Sequence, residues 1–128
     1  MNRYLGASAK AEGGSSAIEF AMTAPIFLAL VFGAIEMGLV LWTQFGLQYG
    51  SEAAARCASI DATDCGTPDQ VASYAASHAL GLSLPSSVFS LSTASCGNQV
   101  SANYTYRFYT FFFGKPSVTL AAKSCFPS

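Results

Sequence analysis

Phe20 to Trp42 reads FAMTAPIFLALVFGAIEMGLVLW, 23 consecutive residues with one charge, Glu36. At 1.5 Å per residue, a helix of that length extends about 34 Å and can cross a hydrocarbon core of about 30 Å. A transmembrane helix is therefore predicted. An ordinary secretory signal has a shorter apolar region and a small-residue cleavage site followed by a polar start. Beyond Trp42 the chain instead keeps a mixed helical pattern, Thr43-Gln44-Phe45-Gly46-Leu47-Gln48-Tyr49, and the helix is expected to run on to about Ala58.

Moving outward, residues 1–14 are polar and glycine-rich, with Arg3, Lys10 and Glu12 as their charges. The remaining cations, Arg56, Arg107, Lys115 and Lys123, are balanced beyond the span by Glu52, Asp61, Asp64 and Asp69. The small positive bias at the N-terminus predicts that it stays cytoplasmic. Over all 128 residues, 52% are hydrophobic and only 10% charged, against about 25% charged in an average soluble domain. A mean hydropathy of +0.38 and a net charge of -1 exclude a disordered tail and leave no basic stripe for nucleic acid. The four cysteines, Cys57, Cys65, Cys96 and Cys125, all follow the span. An even set with no C-x-x-C pair points to disulfides in an oxidising compartment, which places the C-terminal part outside the cytoplasm.

At the start of the span, Gly14-Ser15-Ser16-Ala17-Ile18-Glu19-Phe20 sets a carboxylate five residues after a glycine. An acid entering lipid is costly unless paired or near the interface, which marks Glu19 as functional. Cleavage after Gly14 would give Ser15 a new amine, and that cation could pair with a Glu19 carboxylate across neighbouring subunits. Later in the span, the small-x-x-x-small pairs Ala29/Gly33 and Ala34/Gly38 allow close approach of another helix.

This pattern resembles the class III signal of type IV pilin-like proteins, and more closely the TadE-like minor pilins of Tad (Flp) pilus systems. The resemblance rests on a short basic leader ending in Gly14, on Glu19 and Phe20 at the fifth and sixth positions after it, and on the apolar helix. Gly33-Ala34-Ile35-Glu36-Met37-Gly38 is similar to the family's G-x-x-E-x-G segment, whereas Leu39 stands where many relatives have Arg. The resemblance implies a prepilin peptidase acting between Gly14 and Ser15, and roles for Glu19 and Phe20 in processing and assembly. It further implies other minor pilins and the inner-membrane assembly platform as partners, besides the lipid bilayer. Glu36, with Gly33 and Gly38, is expected to meet a partner helix.

Beyond the long helix, Cys57 and Cys65 enclose a turn-rich segment, and their pairing would clamp the helix end to the next segment of the chain. Thr67-Pro68-Asp69-Gln70 predicts a helix start with Thr67 as N-cap, Pro68 at the first position and Gln70 closing a capping box. Val71, Tyr74, Ala75, His78 and Ala79 share one face of it, and Gly81 is expected to stop it. His78 has no ligand-spaced partner and is read as a packed or rim histidine. Residues 88–95, 99–113 and 117–124 are rich in Val, Thr, Tyr and Phe between turn signals, predicting three antiparallel strands. Cys96 and Cys125 could staple that sheet, although four cysteines allow three pairings. Alternation sends Tyr104, Tyr106 and Phe108 to one face and Tyr109, Phe111 and Phe113 to the other, with Phe112 out of sequence. One face is expected to cover the helix, and the other to form a subunit contact or, alternatively, to be shielded by the short segment 82–92.

The expected fold is α+β: a leader over 1–14, a transmembrane helix and its periplasmic extension over 15–58, and a small disulfide-containing periplasmic head over 59–128. No G-x-S-x-G, G-x-x-x-x-G-K-[ST] or H-E-x-x-H is present and there is one histidine, so neither enzyme chemistry nor a cofactor or metal is expected. The function expected is that of a minor pilin needed to start or assemble a pilus for surface attachment. An uncleaved, single-span periplasmic binding domain is the alternative.

Overall fold

The computed structural model describes residues 13–109 and 114–128; most of the expected leader and the aromatics Phe111, Phe112 and Phe113 lie outside the described residues. In chain order come α1 (Gly13–Ile60), α2 (Pro68–Ser77), a single 3-10 turn (Ser86–Val88), β1 (Phe89–Ala94), β2 (Gly97–Arg107) and β3 (Ser117–Phe126). The strands form one antiparallel sheet in the order β1-β2-β3. One long apolar helix, one short helix and this sheet make the α+β fold that the sequence predicts.

The chain divides into two compact units, residues 1–35 and Glu36–Ser128. In the first, every described residue belongs to α1. Pro25 sits inside the helix, where it removes one backbone donor. Phe20, Ile26, Phe27, Leu30 and Phe32 are all exposed, an apolar surface that fits lipid and not water. One described helix is thus long and apolar enough to cross a membrane.

The second unit is built on small residues. From α1, Leu47, Ser51, Ala54 and Ala55 are fully buried, and they meet Val71, Ala75 and Ala79 from the α2 segment and Phe89, Val100, Ala102, Leu120 and Ala122 from the sheet. Close approach is set by Gly50, where an added Cβ would lie 2.6 Å from the carbonyl oxygen of Ala75, and by Gly46, where it would lie 2.9 Å from that of Ala79 and collide with Leu82. The G-x-x-x-G step of α1 therefore seats α2 within the same chain.

α2 starts as its sequence dictates. Thr67 accepts from the Gln70 amide and Gln70 returns a bond to the Thr67 amide, a reciprocal capping box with Pro68 at the first turn. The helix ends at Ser77, earlier than the expected stop at Gly81, because His78 already caps it. The left-handed residues Leu80 and Gly81 then redirect the chain.

β2 spans Gly97–Arg107, shorter than the expected 99–113 at its distal end. Its ladder with β3 closes at Arg107↔Ser117, and Phe108 adds one bond from its amide to the Pro116 carbonyl. Pro116 has no N–H to return, so the ladder cannot continue through it. The strand face holding Val100, Ala102, Tyr104 and Tyr106 is buried or half-buried, while Gln99, Ser101, Asn103, Thr105 and Arg107 face outward. The outer sheet face is therefore polar.

Two disulfides close the unit, Cys57–Cys65 at the end of α1 and Cys96–Cys125 across the sheet. Asp61 organises the first loop by accepting from the amides of Thr63 and Asp64 at 2.9 and 3.2 Å.

Candidate functional site

Gly14, Ser15, Glu19 and Phe20 lie in the first two turns of α1, and all four are exposed. The carbonyl of Glu19 accepts from the Thr23 hydroxyl at 2.9 Å, a bond inside the helix that leaves the carboxylate uninvolved. This first cluster is sequence-local: four residues displayed on one accessible helix end.

Further along, an added Cβ at Gly33 or at Gly38 would meet nothing within 4 Å. Both positions are therefore open to another helix. Glu36 differs from both, because its carboxylate is occupied within its own chain. The Tyr109 backbone N–H donates to Oε1 at 2.9 Å and the Tyr106 hydroxyl donates to Oε2 at 3.3 Å. Phe108, between those two residues, sets its ring edge-on to Tyr106 with centroids 5.4 Å apart.

The electrostatics follow from this placement. Tyr106 is buried, and burial first, then the Glu36 carboxylate, hold its hydroxyl above the usual tyrosine range. A neutral donor thus faces a carboxylate, and a backbone N–H, which cannot titrate away, supplies the second bond. In chemical terms the arrangement is a latch between α1 and the end of the β2–β3 hairpin. Sequence reading picked out Glu36 by its place in an apolar run but gave it to a partner helix. Its contacts 70 and 73 residues away have no local signature, although the tyrosine-rich stretch supplies the donors.

Elsewhere, Tyr74 and His78 stack with centroids 4.0 Å apart, and His78 is exposed, a rim histidine on its own helix. Together with Tyr49, Glu52, Arg56 and Asp61 these two line an open cleft of about 490 Å³. Arg56 directs its guanidinium over the Phe126 ring, 5.9 Å from the centroid. Among the described residues, no group of three His, Cys, Asp or Glu side chains is placed to hold a metal ion.

Among protein-family models, the one described as TadE-like protein matches residues 14–56. That stretch, which begins at Gly14 and contains Glu19, Phe20, Gly33, Glu36 and Gly38, is similar to the TadE-like family. No curated protein and no solved structure matches the chain.

Proposed function

With residues 14–56 TadE-like as the premise, we propose that this chain is a minor pilin of a Tad pilus, needed for starting or assembling the fibre through which a cell attaches to surfaces. The observation that carries the reading is where the family match begins. It starts at Gly14, the residue after which the leader is expected to be cut, and not at the first apolar residue of the span.

In this reading a prepilin peptidase cuts between Gly14 and Ser15. The exposed first turns of α1 suit such a cut, because helix ends fray and open locally at little cost. The new amine at Ser15 pairs with the Glu19 carboxylate of a neighbouring subunit, which offsets the cost of an acid entering lipid. The chain then stands in the bacterial inner membrane as a single-pass protein, with the head in the periplasm where the two disulfides persist. Gly33 and Gly38 present the helix to other minor pilins and to the assembly platform.

Intact mass and N-terminal sequencing of the chain, expressed with and without a cognate prepilin peptidase, test this. A mature start at Ser15 that needs the peptidase and is lost in Gly14→Lys is the expected result. An uncut chain would favour the membrane-anchored binding domain instead.

A further inference from the structure

We infer that the cleft between α1 and α2 receives Lys123 of a second copy of this chain and pairs it with Glu52, joining neighbouring heads in one membrane. The inference rests on the reading that α1 crosses a membrane, and carbonate extraction tests that reading separately.

The head sorts its charge by layer. Residues 89–128, which include the whole sheet, hold Arg107, Lys115 and Lys123 and no acid, whereas residues 43–88 hold Glu52, Asp61, Asp64 and Asp69 against Arg56. Lys123 is exposed and sits opposite the outward-facing Ser101 in the ladder, which puts it on the outer face of the sheet. Glu52 is exposed on α1 and lines the cleft. Acid and cation thus occupy different surfaces of one head, so each copy can offer its Lys123 while taking another's. Such a contact is heterologous and can repeat from copy to copy.

Height selects the pair. Gln44 bonds the Ala121 carbonyl and Gln48 the Lys123 carbonyl, so β3 runs alongside α1 here and Lys123 stands level with Gln48. Glu52 is one turn further on, about 6 Å, a rise that a lysine side chain spans. Arg107 stands level with Glu36, because its neighbours Tyr106 and Tyr109 bond that residue. That leaves Arg107 about 24 Å of helix away from Glu52. Copies anchored by α1 in one bilayer share one direction, and like positions on neighbouring heads then lie at like heights. Lys123 is the outer-face strand cation that meets the cleft in this arrangement.

The chemistry of the cleft suits an ammonium group. Tyr74 and His78 stack with centroids 4.0 Å apart, and Tyr49 is exposed beside them on α1. Ring faces attract a cation that a carboxylate has already drawn in. Arg56, the cation of the cleft, is engaged over the Phe126 ring, which leaves Glu52 for an incoming charge. An exposed ion pair alone is weak. Anchoring in one bilayer raises the local concentration of heads, so a weak contact is still populated.

The test joins the pair covalently. Isotope-labelled and unlabelled full chains are reconstituted together in phosphatidylcholine vesicles, whose lipids carry no primary amine, and treated with a carbodiimide, which condenses a lysine amine with a carboxylate without a spacer. Mass spectrometry of the digest reads which peptides are joined. The expected result is a link between Glu52 and Lys123 that connects labelled to unlabelled chains. It should be lost in Lys123→Glu and regained when Glu52→Lys is added to that variant, since the same bond then forms with the groups exchanged. Chains that resist carbonate extraction but give no mixed link, or a link only within one chain, overturn the proposal and leave the span intact. A mixed link to the cleft from Lys115 in place of Lys123, or a double variant that does not regain the link, overturns the pairing. Chains released by carbonate overturn the span and this proposal together.

Discussion

Tyr109 donates its backbone N–H to Glu36 at 2.9 Å, and Tyr106 donates its hydroxyl to the other oxygen of the same carboxylate at 3.3 Å. Hydrogen bonds to a charged group contribute about 1.5–3 kcal/mol each when well sheltered. Glu36 is half-buried and the Tyr106 bond is long, so Glu36→Ala should lower stability by about 1–2 kcal/mol in total. Denaturant unfolding in detergent micelles measures this, and a double-mutant cycle with Tyr106→Phe isolates the pair. Zero coupling in that cycle would mean that the Tyr106 hydroxyl adds nothing, leaving the Tyr109 N–H and packing to hold the hairpin.

The raised pKa of Tyr106 gives the head an alkaline limit. Burial first and Glu36 second keep the folded-state hydroxyl protonated beyond the usual tyrosine value, which is about 10. A folded pKa above the unfolded one means that this stability is fully present below pH about 10 and is lost as pH rises through the folded value. The unfolding midpoint should therefore fall above pH about 10, and Tyr106→Phe should flatten that fall. Spectrophotometric titration of phenolate formation, run beside the unfolding curves, assigns the effect to this ring.

Gly50 and Gly33 should respond in opposite ways to the same added methyl group. At Gly50 a Cβ would press on the Ala75 carbonyl oxygen at 2.6 Å, whereas at Gly33 it would meet nothing within 4 Å. Overpacking of this kind costs about 1–3 kcal/mol, so Gly50→Ala should destabilise the head and Gly33→Ala should not. Thermal unfolding followed by circular dichroism separates them. If Gly33→Ala reduces co-purification with the proposed pilin partners while stability is unchanged, the small-residue face of α1 works between chains.

How much of this was legible in the sequence depended on whether the controlling interaction was local. Thr67, Pro68 and Gln70 announce α2 because a capping box is complete within four residues. The strand pattern announced three antiparallel strands, since apolar alternation and turn signals are local. The outer limit of β2 was misread because aromatic content favours a strand, while the missing donor of Pro116 stops the ladder from the opposite side. Gly46 and Gly50 were visible as a G-x-x-x-G step, yet nothing near them in sequence specifies that Ala75 and Ala79 are what approach. Glu36 is the same case: the acid was conspicuous, and its donors, 70 and 73 residues away, are specified only by the folded chain.

The two disulfides should differ in what their removal costs. Cys57–Cys65 joins residues 8 apart and Cys96–Cys125 residues 29 apart. Loop-closure entropy gives about 2.5 kcal/mol for the shorter and about 3.6 kcal/mol for the longer. The Cys96→Ser/Cys125→Ser variant is therefore expected to be less stable than Cys57→Ser/Cys65→Ser by about 1 kcal/mol, measured by denaturant midpoints of the oxidised proteins. The reverse order would indicate that anchoring the end of α1 matters more than closing the sheet.

Gln44 and Gln48, one helical turn apart on α1, should protect the free edge of the sheet. β3 pairs with β2 on one side only, and on the other side Gln44 donates to the Ala121 carbonyl at 2.9 Å and Gln48 to the Lys123 carbonyl at 3.5 Å. An uncovered edge strand offers such carbonyls to another chain. Gln44→Ala removes the shorter, better bond, with an expected stability loss of about 1 kcal/mol, and opens Ala121 to intermolecular pairing. Gln48→Ala should do less, since a 3.5 Å bond contributes little. Size-exclusion chromatography with light scattering at rising protein concentration checks this. If Gln44→Ala self-associates no more than the natural chain, Lys123 and the twist of the strand already protect the edge.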